Sequence, residues 1–128
     1  MPSKIKDLDP RTYKSPLPYT PGQIVGDHIY VAGCVSIDDK GNTVGVGDIK
    51  AQVRQVFKNI EEVLVLAGAN LEHIFKLNVY LTDRAHYAPQ IEVRKELFKH
   101  YPAATVVVIA GLGRPEWLLE IDCIAVKP

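Results

Sequence analysis

The 128-residue sequence has no excess of either charge and no long apolar run, and each lack excludes a class of protein. Fifteen basic residues balance fifteen acidic ones, so the totals offer no electrostatic attraction to nucleic acid or to an anionic membrane surface. No apolar stretch reaches the roughly 20 residues that a membrane-spanning helix needs. We therefore expect no nucleic acid and no membrane as partner.

Cysteine is also scarce, since Cys34 and Cys123 are the only two and lie far apart. Their spacing matches neither a metal cluster nor a redox pair, and both lie in apolar segments, which is typical of buried thiols in a reducing compartment. Residues 1–6 lack the apolar segment of a secretory signal peptide. We expect a cytoplasmic location.

Motifs of several common active sites are missing as well. The four histidines show no metal-ligand spacing, and residues 45–47 match neither a dinucleotide fingerprint nor a P-loop. There is no Gly-x-Ser-x-Gly elbow, and no base stands at readable spacing from Cys34. A metal site and a nucleophilic cysteine are therefore not expected.

The length and the 47% content of hydrophobic residues predict one domain, residues 1–128, with a sizeable core. Prolines between residues 7 and 23 favour an extended surface segment. His28–Gly33 has the composition of a short strand. Apolar residues then recur at helical spacing between Asp48, a candidate N-cap, and Gly68, a candidate left-handed stop.

The second half of the sequence predicts a strand, a helix and two more strands. From Phe75 the apolar residues alternate with polar ones, which predicts a strand. A second helix is expected over about residues 88–100. The apolar runs 104–110 and 117–126 follow, and the Gly- and Pro-containing residues 111–116 predict a hairpin between them.

This order implies one mixed sheet with both helices on one face. The run 104–110 is almost wholly apolar and β-branched, a composition that suits a strand covered on both faces. We infer an oligomer that buries the second face of the sheet. Glu120 is a lone carboxylate in the centre of the last apolar run, a position that costs free energy unless the group has partners or a task.

Several segments, in this order and spacing, resemble the reactive intermediate deaminase family, also called the YjgF or RidA family, along nearly the full length. They are Pro18-Tyr19, Ile29–Gly33, Ala51-Gln52 with Asn59, Leu66–Ala69, Val79–Asp83, Pro102-Ala103, Leu119–Ile121 and Ile124-Ala125. The resemblance implies an α+β, chorismate-mutase-like fold and a homotrimer whose sheets form a central barrel with three clefts between subunits. Family members characterised as enzymes hydrolyse enamines and imines, such as 2-aminoacrylate or 2-aminomuconate, and release ammonia without a cofactor.

Some positions depart from the family pattern. Ala104 stands where the family usually has an arginine that grips the substrate carboxylate. Ala32 replaces a frequent serine, Cys34 a frequent glutamine and Ile91 a frequent asparagine. We therefore expect a more apolar cleft than in members that carry the arginine.

The resemblance suggests Glu120 as the catalytic acid/base that orients a water molecule. Tyr19 is expected to close the cleft and donate a hydrogen bond. The alternatives are structural: Glu120 accepts backbone hydrogen bonds or pairs with a base at the trimer interface, and Tyr19 packs for stability alone.

The remaining candidate substrate-binding residues line the expected cleft: Ala32, Cys34, Ala104, Thr105, Val106 and Arg114. Backbone groups beside Thr105 and Val106 are expected to form a polar wall. Arg114 either replaces the missing guanidinium at the cleft rim or is an exposed turn residue.

Three functions remain open for a small-molecule substrate. The first is a deaminase of an enamine or imine, and the second is a trimer that binds a small metabolite without turnover. The third is a hydrolase or tautomerase of amino-aromatic or heterocycle catabolism. RNA cleavage, claimed for some relatives, ranks last because the charge is neutral and no acid/base pair is visible.

Overall fold

Six strands form one mixed sheet with two α-helices packed on one face in the computed structural model, which describes residues 4–12, 15 and 17–128. In chain order these elements are β1 (Ile5–Leu8), β2 (Gly22–Val25), β3 (His28–Cys34), α1 (Ile49–Val65), β4 (Ile74–Leu81), α2 (Tyr87–Leu97), β5 (Ala103–Val108) and β6 (Leu119–Val126). The strand order is β1-β2-β3-β6-β4-β5, and only the β4–β5 pair is parallel. The α+β architecture with both helices on one face agrees with the sequence prediction.

Helix α1 has both of its predicted end signals. The Asp48 carboxylate accepts a hydrogen bond from the Ala51 backbone N–H at 3.1 Å, which satisfies one of the unpaired donors at the helix start. Gly68 has a φ of +73° and lies two residues beyond the C-cap Leu66, where a left-handed residue lets the chain turn away. The apolar side of α1 is buried against the sheet at Val53, Val56, Phe57, Ile60, Val63 and Leu64.

Strands β4 and β6 alternate between a core face and a polar face. Leu77, Val79 and Leu81 of β4 and Leu119, Ile121 and Cys123 of β6 are buried beneath the helices. The opposite face, here called the open face, carries half-buried polar side chains on the same two strands: Lys76, Asn78, Tyr80, Glu120 and Asp122. The period of two in the sequence therefore places Glu120 on the open face.

The predicted hairpin between the last two strands is wrong. Strand β4 lies between β5 and β6, and Leu81 pairs with Val108 on one side and with Leu119 on the other. The crossover through α2 places β5 parallel to β4 at the sheet edge. Strand β6 therefore pairs with the opposite side of β4. The connection 111–116 therefore crosses the end of β4 instead of turning back on β5.

The end of α2 and the exposure of Phe75 also differ from the sequence prediction. Helix α2 ends at Leu97, three residues before His100, because Phe98 adopts an extended conformation and packs edge-on against Phe57 with ring centres 5.3 Å apart. Phe75 is 39% exposed because the register shifts between Ile74 and Lys76. This irregularity turns the aromatic ring out of the core alternation.

The N-terminal segment contains strand structure that the sequence did not predict. β1 and β2 pair with each other, and β2 pairs with β3. The described part of residues 7–23 contains no helix, as predicted, but the chain bends at residues 12, 17, 18 and 21 and is buried at Leu8, Pro21 and Gly22, so it is only partly the extended surface segment that was expected. Residues 13, 14 and 16 lie outside the described residues. Proline density excluded a helix there, but it gave no information about pairing partners.

The last two residues of strand β5 point to opposite faces of the sheet, and both are exposed, Val107 to 41% and Val108 to 53%. A single chain therefore does not provide the cover that its composition led us to expect, and the oligomer stays a prediction. No helix among the described residues is both long and apolar enough to cross a membrane.

Candidate functional site

A cavity of about 740 Å³ lies between the N-terminal arm (residues 9–12 and 17–21), the end of β3, loop 35–39 and the second half of α1. Three residues predicted for the site line it, namely Tyr19, Ala32 and Cys34. A space of this size accommodates a small metabolite. The tertiary structure thus brings together residues that lie up to 15 positions apart in the sequence.

An irregularity in β3 shapes the wall of the cavity. The pairing with β6 shifts register between Val31 and Cys34. On the other side of β3, the Ala32 N–H donates to the Pro21 carbonyl at 2.8 Å, one step beyond the Gly22–Val31 pair. The Cys34 thiol donates to the Ala32 carbonyl at 3.4 Å. Burial, and after it the Glu120 carboxylate, raises the pKa of Cys34 to about 12, so Cys34 lines the cavity as a neutral thiol.

Glu120 packs against the backbone of Gly33, which also lines the cavity. A Cβ atom on Gly33 would lie 2.7 Å from the Glu120 Cδ and 2.8 Å from its Oε2, so any larger residue at position 33 displaces the carboxyl. Burial, and after it the Asp122 carboxylate, raises the pKa of Glu120. Among the described residues no hydrogen bond or ion pair holds this half-buried carboxyl, which argues against backbone hydrogen bonds within one chain. Pairing with a base at the trimer interface stays an open alternative.

Arg11 links two parts of the N-terminal arm beside the cavity, since it contacts both Asp9 and Tyr19. Its guanidinium lies 5.1 Å from the centre of the Tyr19 ring and pairs with the Asp9 carboxylate at 2.8 Å, which lowers the pKa of Asp9. A further bond runs from Arg11 to the Tyr19 carbonyl at 3.3 Å. Sequence reasoning missed Arg11, since nothing in its local pattern distinguishes it from a surface residue.

Two polar residues of α1 hold loop 35–39 in place at the opposite wall. The Asn59 amide donates to the carbonyls of Val35 and Ile37 at 3.0 and 2.9 Å. Gln55 donates to the Ile37 carbonyl and to the Asn59 side chain. These bonds satisfy loop carbonyls that face the helix and give the cavity wall a defined position.

Arg114 does not line the cavity. Its Nη1 donates to the Gly41 carbonyl at 2.8 Å, and its guanidinium stacks 4.9 Å from the Trp117 ring. The Trp117 indole N–H in turn donates to the Thr43 hydroxyl at 3.2 Å. Arg114 therefore braces the turn between Ile37 and Thr43, which pair across it, against the connection that precedes β6, and it is not a freely exposed turn residue. Its place at the rim of a cleft between subunits stays a prediction.

Ala104, Thr105 and Val106 lie on the edge strand β5, separated from β6 by β4. Thr105 is on the open face and accepts a hydrogen bond from the Lys76 ammonium at 2.9 Å. Within one chain these three residues are not brought to the cavity. The described residues contain no group of three or more His, Cys, Asp or Glu side chains placed to hold a metal ion.

Comparisons with known proteins match nearly the whole chain. The family model for endoribonuclease L-PSP matches residues 11–127, and a RutC family protein of Pyrococcus horikoshii is 37% identical over 110 residues, 86% of this chain and 87% of that protein. The Yersinia pestis protein YyfA, of the conserved Rid protein family and of unknown function, superposes with a TM-score of 0.87 at 27% identity and covers 95% of this chain and 98% of its own. Escherichia coli TdcF with bound serine gives 0.86 at 28% identity, with 96% and 99% covered.

Proposed function

This chain belongs to the endoribonuclease L-PSP family, the YjgF/Rid proteins, and from that premise we propose that it hydrolytically deaminates a small enamine or imine without a cofactor. The observation that carries the proposal is the half-buried Glu120 carboxyl, which packs on Gly33. Gly33 lines the cavity, whereas Glu120 itself is not one of the lining residues of a single chain. The raised pKa of Glu120 makes both protonation states accessible closer to neutral pH, as an acid/base catalyst requires.

The reaction needs one proton donor and one water molecule. The protonated Glu120 donates to the nitrogen of the C=N bond, and water then adds to the electrophilic carbon. The Glu120 carboxylate accepts the proton that the water loses and returns it to the amine nitrogen of the resulting carbinolamine. The C–N bond then breaks, ammonia leaves, and the hydroxyl proton passes back to Glu120 as the carbonyl forms. One imine and one water give one carbonyl compound and one ammonia. An enamine first takes a proton at carbon to become the imine.

A second copy of the chain is proposed to complete the cavity with its edge strand. In one chain β5 presents an unpaired edge and exposed valines, features that proteins ordinarily cover. We propose a homotrimer in which Ala104 and the backbone beside Thr105 and Val106 face the Glu120 carboxyl of a neighbour. Tyr19, 46% exposed at the rim, would close this cleft over a substrate of about the size of the serine bound to TdcF.

One observation favours a second candidate, binding without turnover. Ala104 has no hydrogen-bonding side chain, so a substrate acid group meets no bidentate partner at that position. RNA cleavage receives less support, because four carboxylates and two bases surround the cavity, and phosphate backbones require the opposite balance. These residues are Asp38, Asp39, Glu61, Glu62, Arg11 and Lys58.

The test is to follow ammonia and carbonyl release from freshly generated imines, with and without a carboxylate, in the presence of the wild-type protein. We expect rates above buffer and a light-scattering mass of three times the 14.2 kDa chain. A trimer that binds such compounds but leaves their hydrolysis at the buffer rate would favour the binding function. A monomer would remove the proposed second wall.

Replacing Gly33 with Ala is expected to lower turnover by up to about 100-fold, because small misplacements of a catalytic group cost this much. The new Cβ would overlap the Glu120 carboxyl, which is the far end of a flexible side chain and moves more easily than the backbone. Crystallography of the variant checks the displacement, and kinetics check the rate.

Gly111→Ala is the matched control, since a Cβ there meets no atom within 4 Å. It should leave turnover unchanged. Full activity of Gly33→Ala with an unmoved carboxyl would contradict the assignment of this contact.

A further inference from the structure

Asp122 is the most firmly held carboxylate on the open face. Its Oδ1 accepts from the Asn78 amide at 2.7 Å, and its Oδ2 accepts from the Tyr80 hydroxyl at 2.9 Å. Donors on both oxygens fix the orientation of the carboxylate. The bond to Asp122 also raises the pKa of Tyr80, so that Tyr80 keeps its proton and remains a donor.

Glu120 is the neighbour that this arrangement affects. The two carboxylates are two residues apart on one face of β6, a separation of about 6.7 Å between Cα atoms in a strand. Tyr80 stands directly opposite Glu120 in the β4–β6 register, yet its hydroxyl is turned to Asp122. Asp122 thus takes both donors that β4 offers here, and Glu120 receives neither.

The other groups around Glu120 do not neutralise this charge. Cys34 of β3 and Glu62 of α1 both line the cavity; the pKa of the Cys34 thiol is raised to about 12 by burial and by the nearby carboxylates, and neither residue brings a positive charge. Lys76, the cation of β4 on the same face, donates to Thr105. It makes no ion pair with either carboxylate among the described residues.

We propose that Asp122 is a positioning residue: clamped by Asn78 and Tyr80, it holds its charge fixed on the strand face that it shares with Glu120 and favours the proton-donating form of the Glu120 carboxyl. The use of that proton rests on the proposed function, whereas the electrostatic coupling does not. Asp122 itself touches no substrate in this scheme. Burial alone would act in the same direction on Glu120, so the experiment must separate burial from the neighbouring charge.

Asp122→Asn makes that separation, since it keeps the shape of the side chain and removes its charge. The Glu120 side-chain carboxyl is followed by ¹³C NMR as a function of pH in the wild-type protein and in the variant. We expect the Glu120 pKa to fall in Asp122→Asn and to return in Asp122→Glu, which restores the charge. Asp27→Asn, in the exposed turn between β2 and β3, is the control and should leave it unchanged.

Turnover provides a second measurement. The alkaline limb of the rate profile should move to lower pH in Asp122→Asn, with a several-fold loss at the alkaline end and little change at the acid end. An unchanged Glu120 titration in Asp122→Asn would overturn the proposal, and Asp122→Ser serves as the charge-free variant if the asparagine fails to fold. Absence of turnover in the wild-type protein would contradict the proposed function instead, while the titration still decides the coupling.

Discussion

Replacing Glu120 with Gln is expected to lower the rate of imine hydrolysis by about 10²–10⁴-fold, the usual contribution of a positioned acid/base group. The amide has nearly the shape of the carboxyl, so the packing on Gly33 persists. It cannot donate a proton to nitrogen and then accept one from water. We therefore expect the loss in kcat, with KM changed little.

Ammonia release by Glu120→Gln and by Glu96→Gln provides the comparison. Glu96 is exposed on α2 and pairs with Arg54, a surface ion pair of small energetic value. Its variant should match the wild type in rate. If Glu120→Gln retains the full rate while Glu96→Gln does too, Glu120 has no catalytic role.

The same substitution is expected to change how stability depends on pH. Since the pKa of Glu120 is raised in the folded chain, the folded state holds this proton to a higher pH than the unfolded state. The free energy of unfolding contributed by this group therefore decreases as pH rises from the ordinary glutamate pKa through the raised one. Denaturation of Glu120→Gln across that window should show a flatter dependence than the wild type.

Replacing Gln52 with Ala is expected to destabilise the fold by about 2 kcal/mol or more, because it leaves the partly buried Glu116 carbonyl and Leu118 N–H without a partner at about 1–3 kcal/mol each. The Gly45 carbonyl keeps its bond from the Asp48 N–H. Gln52 is fully buried on α1. Its amide donates to the Gly45 and Glu116 carbonyls at 3.1 and 2.9 Å, and its Oε1 accepts from the Leu118 N–H at 2.9 Å. These bonds fasten the connection that leads into β6.

Urea denaturation of Gln52→Ala and of Gln23→Ala tests this expectation. Gln23 is a partly exposed glutamine of β2 that makes one bond, to Asp7 at 3.1 Å. A surface substitution of this kind changes stability by about 0.5 kcal/mol or less. Equal effects of the two substitutions would show that other groups replace Gln52 as hydrogen-bond partners of the connection. Because β6 starts beside Gln52, the Glu120 position should also become less ordered.

Part of the candidate site was visible in the sequence. Glu120 stood out in the sequence because burying a single carboxylate within an apolar strand costs free energy. The resemblance indicated Tyr19, Ala32 and Cys34, which line one cavity. Gly33 appeared only as part of a matching segment, although its missing Cβ is what admits the carboxyl. A contact across two strands has no sequence pattern of its own.

The sequence did not reveal the hydrogen-bond partners of Arg114 or Asp122, so the first was proposed for the site and the second was overlooked. Arg114 looked available for the cleft, but its guanidinium is committed to Gly41 and Trp117. Asp122 drew no attention, because its two donors, Asn78 and Tyr80, come from a strand about 40 positions earlier. Partners of charged side chains depend on register between strands, which the sequence did not reveal.

The sequence by itself determined the elements whose signals are local: the span of α1 with Asp48 and Gly68 at its ends, and the alternation that buries one face of β4 and β6. These follow from repeat periods and from backbone preferences of single residues. Only the tertiary structure decided that β6 pairs with β4 instead of β5, and which side chains surround Glu120. Strand order depends on the competition among long-range pairings for the same sheet edge, and local composition does not encode its outcome.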